Sequence, residues 1–279
     1  MKVITYEYDG AERVGIVSAD EKWVQDTGAE SMIALIKTGK VQVASRPVPL
    51  DDVKILAPIP HPEGDVIGVG MNYKDHAKEA AKTSPELAKA LTPFFGKRVD
   101  RAVAPGDPIE AHEDMDPALD YEVELAVVIG KDARYVSAEE AFDYVFGYTV
   151  INDVSVRNVQ MGHSQFFFGK GLDGFTPIGP WIVTEDEFER PPKLDICTYV
   201  NGELRQKSNT EMLIRGVAEL IEELSQGMTL KAGTIIATGT PAGVGMGFDP
   251  PKYMVPGDVV RCEIEGIGVL ENPVKASKE

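Results

Sequence analysis

The sequence predicts a mixed α/β fold dominated by β-strands, and three observations carry this expectation. Segments with strand-like patterns outnumber helical ones, and the helices do not alternate regularly with the strands. Regular alternation would have pointed to a doubly wound parallel sheet. Two dipeptides, Asp9-Gly10 and Asn201-Gly202, also sit between such segments. Asp-Gly and Asn-Gly suit the two positive-φ positions of a type I′ turn, whose twist matches the strands of a hairpin.

The elements follow in order. Lys2 to Tyr8 and Arg13 to Val17 run or alternate apolar on either side of Asp9-Gly10. Ser31 to Thr38 has a short helical pattern, with Gly39 as its C-cap. Pro47, Pro49, Pro58, Pro60 and Pro62 punctuate a connector. Residues 1–60 are therefore expected to form a small N-terminal α+β domain with a Pro-rich linker, and residues 61–279 the main domain. Asp75 to Ala81 is rich in Ala, Lys and Glu and should be helical. Tyr121 to Ile129 and Gly147 to Asn152 read as strands. Ser137 with Glu140 is a capping box opening a helix to about Tyr144. Leu194 to Val200 begins the Asn201-Gly202 hairpin. Ser208 with Glu211 caps a helix whose Leu213, Val217, Leu220, Ile221 and Leu224 form one apolar stripe ending at Gly227. Strands close the chain at Thr234 to Thr238, Val259 to Ile264 and Ile267 to Leu270.

Composition narrows the function. The 279 residues suffice for one large or two smaller domains, and 43% hydrophobic with 26% charged residues excludes a disordered chain. A net charge of −17 argues against nucleic acid or an anionic membrane as partner, since phosphates demand a basic face. No apolar run approaches the ~18 residues of a membrane span. Glu7 and Asp9 stand where a signal peptide would be apolar, so none is expected. Cys197 and Cys262 carry neither a disulfide framework nor metal-ligand spacing. A cytoplasmic protein is expected, in which an anionic substrate needs a local positive feature.

The run from Asp120 to Ile129 is the most informative stretch. On a strand, Tyr121, Val123, Leu125, Val127 and Ile129 share one face, and Glu122, Glu124, Ala126 and Val128 share the other. Two carboxylates therefore point the same way, roughly 7 Å apart at Cα. The apolar residues beyond them suggest that this face is partly covered. Covered like charges need a cation, a basic partner or a raised pKa. Asp153 ends the next strand. Three carboxylates without nearby Cys or His make a hard oxygen site, suited to Mg²⁺, Mn²⁺ or Ca²⁺. The plainer alternative is a solvated acidic strand face.

At these residues the chain resembles the fumarylacetoacetate hydrolase family. The resemblance rests on Asp120 to Gly130 and on Gly147 to Arg157. It extends to Gly68 to Glu79, Gly169 to Phe175, Asn201 to Gln206, Thr238 to Gly245 and Val255 to Val260, all in family order. It implies a mixed β-sandwich roll, a small N-terminal domain and a homodimer. It also implies Mg²⁺ or Mn²⁺ held at Glu122, Glu124 and Asp153.

His76 and Glu79 lie three residues apart, so on a helix a carboxylate would sit beside an imidazole and make it a general base. An exposed histidine on a charged helix is the competing reading, and the resemblance favours the base. Lys170 lies between Gly169 and Gly171 and is the catalytic lysine by resemblance; Ser, frequent in the family at the position of Gly171, is missing here. Arg157 and Gln160 could share a helical face, and by resemblance both touch substrate. Gly239 and Thr240 offer backbone N–H groups and a hydroxyl for a carboxylate. Gly243 to Gly247 lacks the spacing of a dinucleotide fingerprint. His61, His112 and His163 are read as structural or exposed, and Phe166 to Phe168 as core or pocket wall.

The function so implied is hydrolytic C–C cleavage of an acylpyruvate-like 2,4-dioxo acid through a metal-stabilised pyruvate enolate, with a small 2-oxo acid as partner. Decarboxylation of oxaloacetate shares that enolate. Isomerisation or dehydration of a related 2-oxo acid, or a catalytically silent ligand-binding member, are the alternatives.

Overall fold

The computed structural model describes residues 1–39, 43–44, 46–83 and 92–277. Its elements begin with β1 (Lys2–Tyr8), β2 (Ala11–Val17), β3 (Trp23–Asp26), α1 (Met32–Thr38), β4 (Val48–Pro49), β5 (Lys54–Ile55) and β6 (Val66–Val69). There follow α2 (Lys74–Thr83), β7 (Phe94–Lys97), β8 (Ile109–Glu110), β9 (Leu119–Asp120), β10 (Val123–Ile129), β11 (Val145–Asn152) and β12 (Ser155–Val156). The chain continues through α3 (Arg157–Gly162), α4 (Phe167–Lys170), β13 (Ile178–Thr184), β14 (Asp195–Val200) and β15 (Glu203–Asn209). It ends with α5 (Val217–Gly227), β16 (Ile235–Ala237), β17 (Val259–Ile264) and β18 (Gly268–Lys275).

Both hairpins form where the dipeptides place them, with Asp9 and Gly10 at φ 52° and 72° and Asn201 and Gly202 at 51° and 78°. Ser31 caps α1 by accepting from the Ala34 N–H, and Gly39 closes it at φ 61°. Two helix expectations fail. After Ser137 there is only a 3₁₀ turn, Ala141–Tyr144, because the chain enters β11 at once. The Ser137 hydroxyl is spent on the Glu140 carboxylate instead of a helix N–H. Ser208 does not cap a helix either: it stays in β15, paired with Ile196 of β14. The helix starts at Val217, where Glu219 accepts from the Gly216 N–H at 2.9 Å. Its stripe of Val217, Leu220, Ile221 and Leu224 is buried as expected.

An eleven-stranded sheet runs β4-β3-β2-β1-β13-β11-β10-β16-β6-β7, with β5 added beside β1. A five-stranded sheet runs β15-β14-β17-β18-β8. The N-terminal strands belong to the larger sheet, because β1 pairs with β13 as well as with β2 and β5.

Strand β10 is central. It pairs with β11 and β16, and all seven of its residues are buried. Its two faces feed separate cores. Val123, Leu125, Val127 and Ile129 pack with Ile196, Val260 and Ile264 of the second sheet, which makes the sandwich. Ala126 and Val128 pack with Ile151, Ile182 and the α1 residues Met32 and Ile36. Glu124 shares that second face, so its carboxylate lies in a covered layer rather than in water.

A buried charge cluster beneath a histidine

The ends of β9 to β12 are stitched together. Asp120 pairs with Ser155, the Asp153 N–H donates to the Glu122 carbonyl at 2.8 Å, and the Glu122 N–H donates to Asn152 Oδ1 at 2.9 Å. This brings Glu122, Glu124 and Asp153 together, each offering an oxygen within 4.8 Å of the others. All three are buried.

Three cations are threaded through them. Lys170 Nζ reaches Glu122 Oε2 at 2.7 Å, Asp153 Oδ2 at 2.6 Å and Ser155 Oγ at 2.9 Å. Arg157 pairs with Asp120 Oδ2 at 2.8 Å and Glu122 Oε1 at 2.7 Å, and donates to Gln160 Oε1 at 2.9 Å. Lys97 Nζ lies 2.8 Å from Asp153 Oδ1. Four carboxylates, Asp120 included, thus face three fixed cations. The uncompensated one is Glu124. Its carboxylate accepts from the Gly239 N–H at 2.7 Å, and among the described residues no Lys, Arg or His pairs with it. Gly239 sits at φ 104°, and a Cβ there would lie 2.7 Å from Asn72 Cβ, so this close approach requires glycine.

The proton affinities follow. Burial pushes the Glu124 carboxyl well above the usual range, and the charges of Asp153 and Glu122 push it further. Burial would raise Glu122 too, but the charges of Lys170 and Arg157 outweigh it and hold Glu122 below the ordinary carboxylate range. Burial works against the Lys170 ammonium, and Asp153 and Glu122 more than offset it, so its pKa is raised. For Lys97 burial wins over the opposing charge of Asp153, and its pKa is lowered. A buried carboxylate with no cation, beside two others, is a hard oxygen set that a divalent ion would neutralise. The residues therefore fit a divalent cation such as Mg²⁺ or Mn²⁺, which Glu122, Glu124 and Asp153 would hold.

Above this floor lies α2. His76 Nδ1 and Glu79 Oε2 are 3.0 Å apart, and Glu79 also accepts from the Gly243 N–H at 3.1 Å. His76 Nε2 has no hydrogen-bond partner among the described residues. Between floor and roof is a cavity of about 60 Å³, with His76, Glu122, Glu124, Arg157, Lys170 and Thr240 on its polar side. Phe95, Phe166 and Val244 make its apolar side. Glu79 and Gln160 also line it, whereas Asp153 and Gly239 stand behind the wall. The Thr240 hydroxyl donates to the Val123 carbonyl and accepts from Gln206 Nε2. Both Gly239 N–H and Thr240 hydroxyl are thus engaged within the protein.

Sequence reasoning missed three members. Lys97 closes the strand Phe94-Phe-Gly-Lys, where alternation puts it on the Phe95 face. Asp120 accepts from the Gly245 and Met246 N–H groups and anchors Arg157. Gln206 bridges the Val123 N–H, the Thr198 hydroxyl and Thr240. Of the three phenylalanines only Phe166 is a pocket wall; Phe167 and Phe168 are exposed. His61 and His112 meet the Asp100 and Asp173 carbonyls, and His163 stacks on Phe168.

Residues 65–275 match the model of the fumarylacetoacetate (FAA) hydrolase C-terminal domain, and the chain belongs to that family. The oxaloacetate tautomerase YisK of Bacillus subtilis is 47% identical over 227 residues, covering 81% of this chain and 74% of that protein. The structure of a fumarylacetoacetate hydrolase from the psychrophile Exiguobacterium antarcticum superposes with a TM-score of 0.89 at 45% identity, over 99% of this chain and all of that one. A maleylpyruvate hydrolase from Sphingobium sp. SYK-6, solved with manganese(II) and pyruvate, gives a TM-score of 0.79 at 32% identity with both chains fully covered. The β-dominated sandwich is thus the family's fold.

Proposed function

We propose that the protein is a divalent-metal-dependent enzyme of short 2-oxo acids that works through an enolate, and that its reaction is keto–enol tautomerisation of oxaloacetate or a close analogue. The observation that carries this is the uncompensated Glu124 within a carboxylate triad, facing a His76–Glu79 pair across a small cavity. The tautomerase relative supports the choice of reaction. A bound Mg²⁺ or Mn²⁺ would supply Lewis-acid charge to the 2-oxo and carboxylate oxygens.

The remaining steps belong to the chain. Glu79 holds the Nδ1–H of His76 and stabilises the imidazolium, which leaves Nε2 to take the C3 proton and return it to oxygen. Lys170 sets a fixed positive charge where the enolate oxygen develops, which a preplaced charge stabilises without reorganisation. Phe95, Phe166 and Val244 exclude water on the apolar side. A cavity of about 60 Å³ favours a compact acid.

Cleavage of an acylpyruvate is the second reading. The same His76 Nε2 could take a proton from water instead of carbon, and two structural relatives carry hydrolase names. The test is to strip the protein with chelator and follow three reactions with and without Mg²⁺ or Mn²⁺. These are oxaloacetate enol–keto exchange, acetylpyruvate cleavage and CO₂ release from oxaloacetate. Metal-dependent enol–keto exchange as the fastest reaction is the expected result. Faster acetylpyruvate cleavage would select the second reading, and no metal-dependent turnover would overturn both.

A further inference from the structure

Of the three cations of the cluster, Lys97 alone neither lines the cavity nor enters the reaction above. It is fully buried. Its Nζ is ringed by three oxygens: Asp153 Oδ1 at 2.8 Å, the Val154 carbonyl at 3.0 Å and the Lys170 carbonyl at 2.5 Å. The two carbonyls accept hydrogen bonds from it, and Asp153 Oδ1 meets it as an ion-pair partner. A buried amine tied to three fixed oxygens, and absent from the cavity lining, does not meet a substrate. It works as a clamp.

Each of its three contacts falls on something the site needs in place. Asp153 Oδ1 is held on the Lys97 side, which leaves Oδ2 turned to Lys170 Nζ and the other two carboxylates. The Lys170 carbonyl is the far end of α4, a helix of only four residues that could not fix a side chain alone. The Val154 carbonyl belongs to the link between β11 and β12. One ammonium therefore ties a carboxylate of the triad to the backbone of the lysine that faces it. Arg157 plays the corresponding part for Glu122, through its own contacts with Asp120 and Gln160.

We propose that Lys97 is a positioning residue which locks the Asp153 carboxylate and the Lys170 backbone into one unit, and so sets the affinity of the site for its divalent ion. This rests on the reading of Glu122, Glu124 and Asp153 as the holders of that ion. Two physical effects oppose each other here, and their signs differ. As a mere positive charge near the ion, Lys97 would repel it, and removing Lys97 would tighten binding. As a clamp on a ligand, it favours the ion, and removing it would weaken binding on the order of 10- to 100-fold.

The experiment is Mn²⁺ titration of chelator-stripped full-length protein, followed calorimetrically, for wild type, Lys97→Met, Asp153→Asn and the double variant Lys97→Met/Asp153→Asn. The expected result is weaker Mn²⁺ binding in Lys97→Met, by about 10-fold or more. The double variant should bind no more weakly than Asp153→Asn alone. The double variant also removes both members of a buried pair, so it answers the question even where Lys97→Met does not fold. Unchanged or tighter Mn²⁺ binding in Lys97→Met would overturn the proposal. So would a double variant weaker than Asp153→Asn by the full single-variant factor. No Mn²⁺ binding by wild type would overturn the metal reading together with it, whereas wild-type binding with an indifferent Lys97→Met removes the clamp alone.

Discussion

On the floor of the cavity, seven charged side chains sit on strands, strand ends and the short helices α3 and α4, each buried and nearly all paired. On its roof, two sit three residues apart on a ten-residue helix, paired with each other and joined to the floor layer through the Gly243 N–H. The difference is one of coupling. Removing a floor cation strands a carboxylate in a low-dielectric layer, so chemistry and stability cannot be separated there. Removing His76 leaves only the partly exposed Glu79, still bonded to the Gly243 N–H, so its effect should fall mainly on turnover.

Arg157→Met should show the floor behaviour most strongly. It leaves Asp120 and Glu122 without their guanidinium and should cost on the order of 3–5 kcal/mol, read by denaturant unfolding. A loss below about 1 kcal/mol, the worth of an exposed pair, would break the comparison. His76→Ala should show the roof behaviour: turnover down by a factor on the order of 10²–10⁴, with Mn²⁺ affinity and melting temperature unchanged. A matching fall in Mn²⁺ affinity would mean that the roof is coupled to the floor after all. Glu79→Gln should do less, about 1.5–3 kcal/mol in kcat/KM, as expected for one hydrogen bond to a charged group. A loss equal to that of His76→Ala would make Glu79 the base.

The smallest effect is on stability against pH, and it sets Glu124 apart from its neighbours. Its folded pKa is raised above the unfolded value. A group of that kind contributes stability below its unfolded pKa and loses it as pH rises through the folded one. Glu122, whose pKa is lowered, behaves oppositely and loses its contribution as pH falls. In chelator, Glu124→Gln should therefore gain melting temperature relative to wild type as pH rises from the acid side. A gap that is constant with pH would contradict the assignment of Glu124 as the uncompensated charge.

The sequence made the floor's acids legible because strand alternation is regular: Glu122 and Glu124 had to share a face, and Ala126 and Val128 marked that face as covered. Hairpins were legible for the same reason, since Asp9-Gly10 and Asn201-Gly202 choose their turn locally. The floor's cations were harder to see. Lys97 meets Asp153 across 56 positions of chain, and only the pairing of distant strands brings them together. Ser137 and Ser208 misled because a capping signal records local preference. At Ser208 the demand of the sheet for another strand residue prevailed, and after Ser137 the entry into β11 left room only for a 3₁₀ turn. The roles of Gly239 and Thr240 were open in sequence for a further reason. A backbone N–H or a hydroxyl can serve a ligand or a neighbouring side chain equally well, and here a neighbour is present for each.

The central claim is that Glu124 is held uncompensated for a divalent ion. It is tested most directly by titrating Mn²⁺ into chelator-stripped wild type and Glu124→Ala, with the fold of each checked by circular dichroism. The expected result is one ion per wild-type chain and no measurable binding to a folded Glu124→Ala. Equal Mn²⁺ affinity in the two proteins would contradict it.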